Sequence, residues 1–210
     1  MNYRNSLLLA CILIQTALIW PLKSSGKQAQ SLNSEQCNLT ADELAVYSEA
    51  IQEVLLKDRD ETARVIIRER TSAGYPPGMA SMKSSRGETK ELLNSLHVGT
   101  REEFDAQNKT SCILDPHIRP TERIQFLSAR EEQASFPKGS GSWKEFYKKY
   151  PGAIGFTLVT RIGFSSKRNE ALVYLGNSCE LLCGHGYLVV LRKNKRKWRV
   201  LNQAILWTAG

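Results

Sequence analysis

Apolar runs alternate with short polar links in the last third of the chain, which is the pattern of an antiparallel sheet. Four such runs are rich in Val, Ile, Leu, Tyr and Trp, and links this short join antiparallel neighbours. Residues 188–191 are apolar at every position, which predicts a central strand that is covered on both faces. The predicted strands are 155–164, 171–176, 187–192 and 198–207.

A helix with an aromatic face is predicted immediately before these strands. Ser142 and Glu145 have the spacing of a capping box, in which each side chain binds the backbone N–H of the other residue. Four aromatic residues then recur at helical spacing, and such a face usually packs on a sheet, although nucleobases or sugars can also stack on it. These residues are Trp143, Phe146, Tyr147 and Tyr150. We therefore predict that the helix covers one face of the sheet.

Shorter elements are predicted in the first two thirds of the chain. Helical periodicity or a capping box marks helices at 40–57, 88–96, 100–108 and 128–136. The helix starts are Thr40 with Glu43, Thr100 with Glu103, and Ser128 with Glu131. A density of β-branched or apolar residues predicts strands at 62–71 and 124–127. The fold class is therefore predicted as α+β, with N-terminal helices packed on a C-terminal antiparallel sheet of about four to five strands.

The first 29 residues have the pattern of an export signal. Arg4 precedes an apolar run over 7–20, and small residues at 24–26 fit a signal peptidase site. About 14 helical residues span roughly 21 Å, less than the ~30 Å hydrocarbon core of a bilayer; an uncleaved membrane anchor is the alternative. We predict a signal peptide over 1–29, a mobile N-terminal segment over 30–36, and a single α+β domain over 37–210 that is periplasmic or extracellular. A glycine-rich segment at 137–142 is a candidate subdomain joint.

Composition and charge place the chain among ordinary globular domains. It has 210 residues, of which 41% are hydrophobic and 24% charged, and this excludes a disordered or collagen-like protein. Loss of two or three cations with the signal lowers the net charge from +8 to +6 or +5. Such a mild excess is not typical of a polyanion-binding domain, so specific nucleic-acid binding is not expected.

Four cysteines remain after the signal, and an even number in an exported protein predicts disulfides. Three connectivities are possible, and we favour Cys37 with Cys112 and Cys179 with Cys183. The second pair lies within one loop between adjacent strands, where closure is geometrically easy. A ring that small contributes on the order of 2 kcal/mol in the chain-entropy description of disulfides.

The same loop carries two alternative chemistries. Cys179, Cys183 and His185 are possible zinc ligands, with His117 or water as the fourth, and Cys183 beside a histidine is a possible nucleophile. However, Cys-x-x-x-Cys-x-His is not a standard zinc-finger spacing. The sequence also has no phosphate-binding loop, serine elbow or zinc-protease motif. We therefore assign no catalytic residue, metal or cofactor, and favour a protein that is not an enzyme.

A cationic cluster follows the third predicted strand, with six Lys or Arg residues in the eight positions 192–199. A solvated turn that protects the sheet from edge pairing is the simplest interpretation. The alternative is contact with an anionic surface such as envelope lipid, polysaccharide or nucleic acid. The candidates for that contact are Arg192, Lys193, Lys195, Arg196 and Lys197.

A run of short motifs in the last third resembles a family of uncharacterised exported bacterial proteins. The resemblance implies an exported domain and implies no activity. At two positions where glycines are expected, between and after the cysteines, this chain has Glu180 and His185. The motifs are Trp143-x-x-Phe146-Tyr147-x-x-Tyr150-Pro151-Gly152, Arg161-x-Gly163-Phe164, Ala171-Leu172-Val173-Tyr174, Cys179-x-x-Leu182-Cys183-Gly184-x-Gly186-Tyr187, Leu191-x-Lys193, Trp198-x-Val200 and Trp207.

These observations predict an exported binding or envelope-associated module. Its sheet and covering helices would enclose an apolar pocket for a small apolar ligand or an envelope component. A thiol- or zinc-dependent enzyme that uses Cys183 and His185 is one alternative, and electrostatic binding to an anionic envelope surface is the other.

Overall fold

A computed structural model describes residues 36–74, 87–115, 121–136, 142–180 and 183–209. The predicted signal peptide and the predicted mobile segment up to residue 35 lie outside the described residues, as does the candidate joint at 137–141. Gln36 already belongs to the first strand. No helix within the described ranges is long and apolar enough to cross a membrane.

Nine strands and five α-helices are present in the described residues. The strands are β1 Gln36–Cys37, β2 Arg64–Arg68, β3 Ile113–Leu114, β4 Ile124–Leu127, β5 Ala153–Val159, β6 Gly163–Phe164, β7 Glu170–Ser178, β8 His185–Asn194 and β9 Lys197–Thr208. The helices are α1 Ala41–Ile51, which continues as a π-helix over Gln52–Leu56, then α2 Gly87–Asn94, α3 Val98–Gln107, α4 Ala129–Ser135 and α5 Trp143–Lys149.

The main sheet is larger than the sequence predicted, and it is mixed rather than antiparallel. Seven strands join in the order β4-β2-β5-β7-β8-β9, with β6 also paired to β7. β2 pairs in parallel with both β4 and β5, whereas β5, β7, β8 and β9 are antiparallel neighbours. Val65, Ile66 and Ile67 of β2 are buried, so the backbone of this strand needs partners on both edges, which β4 and β5 provide.

The prediction that the helices are N-terminal is wrong in part, because α4 and α5 lie between β4 and β5. Helices cover both faces of the sheet: α1 packs with Val189 and Leu191 of β8, whereas α2 and α3 pack with Leu188 and Val190. The predicted central strand over 188–191 is therefore confirmed. Its alternation between two cores follows from the two-residue period of a β-strand.

The predicted strand 155–164 is divided into β5 and β6, and Thr160 lies at the break. Its hydroxyl accepts a hydrogen bond from the Tyr174 N–H at 3.0 Å. Its carbonyl accepts one from the Tyr47 hydroxyl of α1 at 2.8 Å. A side chain of α1 therefore binds the carbonyl that a continuous β-strand would use for pairing. The residues of the strand alone do not predict this contact.

The aromatic face predicted for α5 is confirmed as core. Phe146 is fully buried and Tyr150 nearly so, and the Trp143 ring stacks on Phe156 of β5 with centroids 5.6 Å apart. At the start of this helix the Ser142 hydroxyl accepts from the Glu145 N–H at 3.3 Å. The reciprocal capping boxes at Thr40 and Ser128 are complete.

Glu131 of α4 links that helix to α5 and is expected to make the fold sensitive to acid. Burial raises the pKa of Glu131, but hydrogen bonds from Lys149 at 3.0 Å and from Ser128 outweigh it and lower the pKa to about 2. A carboxyl with a depressed pKa in the folded state stabilises fully above its ordinary value of 4.5 and loses this contribution as pH falls towards 2.

We therefore expect Glu131→Gln to flatten the decline of unfolding free energy between about pH 4.5 and pH 2. Urea unfolding followed at several pH values measures this slope. Glu145→Gln, at an exposed position on α5, is the matched control and should leave the slope as in the wild type. If the unfolding free energies of Glu131→Gln and the wild type fell with the same slope over this pH range, the low pKa of Glu131 would be contradicted.

Candidate functional site

A pocket of about 430 Å³ opens at one end of the main sheet. It is bordered by the start of β5, the end of β7 and the start of β8, which lie together because antiparallel neighbours run in opposite directions. Val54 and Leu55 of the π-helix form another side. The volume lies in the range of pockets that hold small ligands.

Cys179 and Cys183 form a disulfide in the wall of this pocket, with their Cα atoms 5.6 Å apart. This is the pairing that the sequence predicted. Cys183 is exposed and Cys179 is half-buried. The Cys183 Sγ lies 3.1 Å from the carbonyl oxygen of Glu180. A disulfide bond is thus presented to solvent at the pocket.

The other predicted disulfide joins Cys37 of β1 to Cys112, with Cα atoms 5.4 Å apart. Both residues are nearly inaccessible, at 9% and 2% exposure. The Cys112 N–H donates to the Thr71 hydroxyl at 3.0 Å, and the Cys112 carbonyl accepts from the Thr71 N–H at 3.0 Å. The disulfide therefore connects β1 to the residue that precedes β3, and hydrogen bonds join that residue to the segment that follows β2.

His185 is the first residue of β8 and lines the pocket beside the disulfide. Its Nδ1 lies 3.1 Å from the carbonyl oxygen of Cys183. Because a carbonyl can only accept, the tautomer that uses this contact carries its hydrogen on Nδ1 and leaves the Nε2 lone pair to accept a proton. The imidazole stacks on the Tyr187 ring at 5.9 Å between centroids.

Three charged residues at the pocket were not found by sequence reasoning. Lys57, Asp58 and Arg59 follow the π-helix, and Lys57 forms an ion pair with Glu53 at 3.1 Å. Arg59 has no carboxylate partner within the described ranges. No local motif marks this triplet, because only the packing of α1 on the sheet brings it to the pocket.

Arg59 acts electrostatically on the aromatic wall. Burial raises the pKa of Tyr187, and the positive charge of Arg59 acts in the opposite direction. The guanidinium and the phenol therefore lie close enough to interact at the pocket. The sequence analysis placed Tyr187 in a strand. Its position two residues after His185 is the only local signal that both rings lie on the same face of that strand.

Two further side chains hold the pocket in shape. The Asn177 carboxamide donates to the Ile154 carbonyl at 3.0 Å and accepts from the Thr157 hydroxyl at 3.1 Å, which ties β7 to β5. The Tyr147 hydroxyl of α5 accepts from the Glu180 N–H at 3.5 Å. The aromatic helix therefore reaches the disulfide loop as well as the core.

The reactive groups needed for the two alternative chemistries, zinc binding and thiol catalysis, are not present when the disulfide is formed. Cys179 and Cys183 are bonded to each other, so neither is a thiolate that could bind zinc or attack a substrate. His117 lies outside the described residues. Among the residues that are described, no group of three His, Cys, Asp or Glu could hold a metal ion.

The residues of the predicted cationic cluster lie in two different environments in the structure. Arg192 pairs with Glu170 of the neighbouring strand β7 at 3.3 Å. Lys193 pairs with Asp42 at 2.6 Å and Arg199 with Glu49 at 2.9 Å, so these two cations hold α1 to the sheet. The other three are exposed at the β8–β9 turn and form no ion pair in the described part of the chain. They are Lys195, Arg196 and Lys197. Contact with an anionic surface stays a prediction for these three.

Asp42, the partner of Lys193, is itself a junction between α1 and the β8–β9 hairpin. The hydrogen bond from Lys193 is the main reason that the pKa of Asp42 is lowered. Trp198 adds a second hydrogen bond at 3.2 Å.

Comparisons with protein-family models, with curated proteins and with solved structures found no match. The resemblance to an exported bacterial family therefore stays a prediction, and the role of the pocket is inferred from its own residues.

Proposed function

We propose that the protein is an exported binding module that takes a small anionic ligand with a planar group in the pocket beside the Cys179–Cys183 disulfide. Disulfides persist in oxidising compartments outside the cytosol, which supports export. The cysteines that a thiol or zinc enzyme would use are bonded to each other, which favours binding over catalysis by those routes.

The observation that carries the proposal is the position of the Arg59 guanidinium. It lies at the pocket, acts on the Tyr187 hydroxyl and has no carboxylate partner in the described ranges. A guanidinium presents a planar set of donors that matches a carboxylate or phosphate group. An anionic ligand would supply the partner that the protein does not.

The remaining lining favours a polar ligand over the apolar one expected from the sequence. Lys57 and Arg59 outnumber Asp58 among the charged lining residues, and because Lys57 already pairs with Glu53, Arg59 is the cation available to an anionic ligand. The stacked rings of His185 and Tyr187 add an aromatic surface on which a planar group can pack. Charged residues at the opening also retain water, which disfavours a purely apolar ligand.

We expect benzoate and phenyl phosphate to bind at this pocket, and benzamide, the neutral counterpart of benzoate, to bind at least about tenfold more weakly because it cannot pair with the guanidinium. Titration followed by ¹H–¹⁵N NMR detects such weak binding, and the shifted amides should be those of Arg59, Asn177, His185 and Tyr187.

Arg59→Gln should weaken binding of both anions by about tenfold or more, since it removes the charge and the planar guanidinium donors but keeps a polar side chain. Arg196→Gln removes one charge from the distant β8–β9 turn and should leave the titration unchanged. Equal binding of benzoate and benzamide, equal effects of the two substitutions, or no binding of either anion would refute the proposal.

A further inference from the structure

We propose that the Cys179–Cys183 disulfide is a redox-active bond that oxidises the paired thiols of a peptide or protein entering the pocket. The inference concerns a second activity at this place and does not depend on the ligand proposed above. It rests on three features: the contrast between the two disulfides, the acceptor placed beside Cys183, and the imidazole of His185.

The two disulfides differ in both loop length and accessibility. Cys37 and Cys112 are separated by 75 positions and are buried, whereas Cys179 and Cys183 are separated by 4 positions and Cys183 is exposed. A short ring constrains the reduced chain little, so closing it gives little stabilisation. Exposed bonds are also the labile ones, because a thiolate can reach the sulfur.

The Glu180 carbonyl favours the reduced form of Cys183. Its oxygen lies 3.1 Å from the Cys183 Sγ. A disulfide sulfur has no hydrogen to donate, but a thiol at the same position would donate one to this carbonyl. A hydrogen bond that exists only after reduction stabilises the dithiol, and stabilising the reduced form makes a disulfide a stronger oxidant.

His185 supplies a base next to the bond. The hydrogen on Nδ1 is directed to the Cys183 carbonyl, so Nε2 is the nitrogen that can accept a proton. Thiol–disulfide exchange requires the attacking sulfur as a thiolate. An imidazole in the same pocket can take the proton from an incoming thiol as that sulfur approaches Cys183.

The exchange proceeds in two balanced steps. The first thiol of the partner loses its proton to His185 and attacks the exposed Cys183 Sγ, which forms a mixed disulfide and releases Cys179 as a thiolate that takes up the proton. The second thiol of the partner then loses its proton and attacks the partner's own sulfur in that mixed disulfide. Cys183 leaves and is protonated. The partner loses two electrons and gains a disulfide, and the protein becomes a dithiol until an oxidised small disulfide restores it.

Selective reduction of the wild-type protein tests the contrast without any substitution. The folded protein is equilibrated in mixtures of reduced and oxidised glutathione, acid-quenched and alkylated, and the labelled peptides are identified by mass. The reducing strength of each mixture is given by the squared concentration of reduced glutathione divided by that of oxidised glutathione. We expect the Cys179–Cys183 bond to be half-reduced at a value of this ratio about tenfold or more below the value that half-reduces the Cys37–Cys112 bond. Equal ratios, or earlier reduction of the buried pair, would overturn the proposal.

A kinetic test addresses the activity and the role of His185. The oxidised protein should convert a reduced peptide with two cysteines to its disulfide in a stoichiometric burst, and the double variant Cys179→Ala/Cys183→Ala should give no burst above buffer. His185→Gln should slow the burst about tenfold at pH 7. This difference should vanish near pH 9, where the peptide thiols ionise without a base.

The pH profile distinguishes proton transfer from a structural role of the imidazole, since a merely structural loss would persist at both pH values. A wild-type burst no faster than that of the double variant would refute the activity. Arg196→Gln, on the β8–β9 turn, should leave this burst unchanged. The burst is measured without benzoate or phenyl phosphate, so failure of the redox proposal and failure of the ligand proposal are distinguishable.

Discussion

Replacing Cys37 and Cys112 together by alanine is expected to lower the free energy of unfolding by about 4.5 kcal/mol in the chain-entropy description. The bond closes a loop with a sequence separation of 75, so its removal releases many conformations of the unfolded chain. Both sulfurs are buried, and their loss also removes packing contacts in the core around α1. Urea unfolding of the folded variant, compared with the wild type, measures the loss.

The matched control is the double variant Cys179→Ala/Cys183→Ala. Its ring has a sequence separation of only 4, so the expected loss is about 2 kcal/mol or less. Equal losses for the two double variants would show that loop closure is not what makes the buried bond stabilising. A larger loss for the pocket pair would also argue against its role as an exchangeable bond.

The second large effect is expected from Glu170, the first residue of β7. Its side chain is 2% exposed, and its carboxylate accepts hydrogen bonds from the His97 N–H at 2.9 Å, the Thr100 hydroxyl at 2.8 Å and Arg192 at 3.3 Å. Glu170→Ala removes the acceptor and leaves the His97 N–H and the buried Thr100 hydroxyl without it, with an expected cost of about 3 kcal/mol. Urea unfolding and amide exchange at the start of α3 report this loss.

Arg192→Gln is the informative comparison for Glu170. The Arg192 side chain is half exposed, so losing its charge should cost about 1 kcal/mol or less. The carboxylate keeps its bonds from His97 and Thr100 in that variant. If both substitutions destabilise equally, the loss comes from the ion pair between β7 and β8 rather than from the hydrogen bonds that hold α3 to the sheet.

Glu170 also shows why one local prediction was wrong. Thr100 and Glu103 have capping-box spacing, yet α3 begins at Val98, with His97 at its N-cap. The Thr100 hydroxyl donates to Glu170 instead of capping the helix. A cap signal in the sequence cannot reveal that a strand distant in the chain will present a carboxylate to the same hydroxyl.

The candidate site was predicted only in its local part. The Cys179–Cys183 pairing was predicted because ring closure over a few residues depends on the loop itself, and His185 was identified beside it. Arg59 was missed because no motif marks it. Likewise, Arg192 and Lys193 were grouped with an exposed cationic cluster, although they pair with Glu170 and Asp42, since a charge count contains no information about partners on other elements.

The sequence by itself determined the local elements of this protein: the capping boxes at Thr40 and Ser128, the aromatic face of α5, the two-faced strand over 188–191 and the α+β class. These follow from side-chain periodicity and short-range hydrogen bonds, which act within a few residues. Only the tertiary structure decided the parallel addition of β2 and β4 to the sheet, the start of α3 and the meeting of Arg59 with the disulfide pocket, because each depends on contacts between segments far apart in the chain.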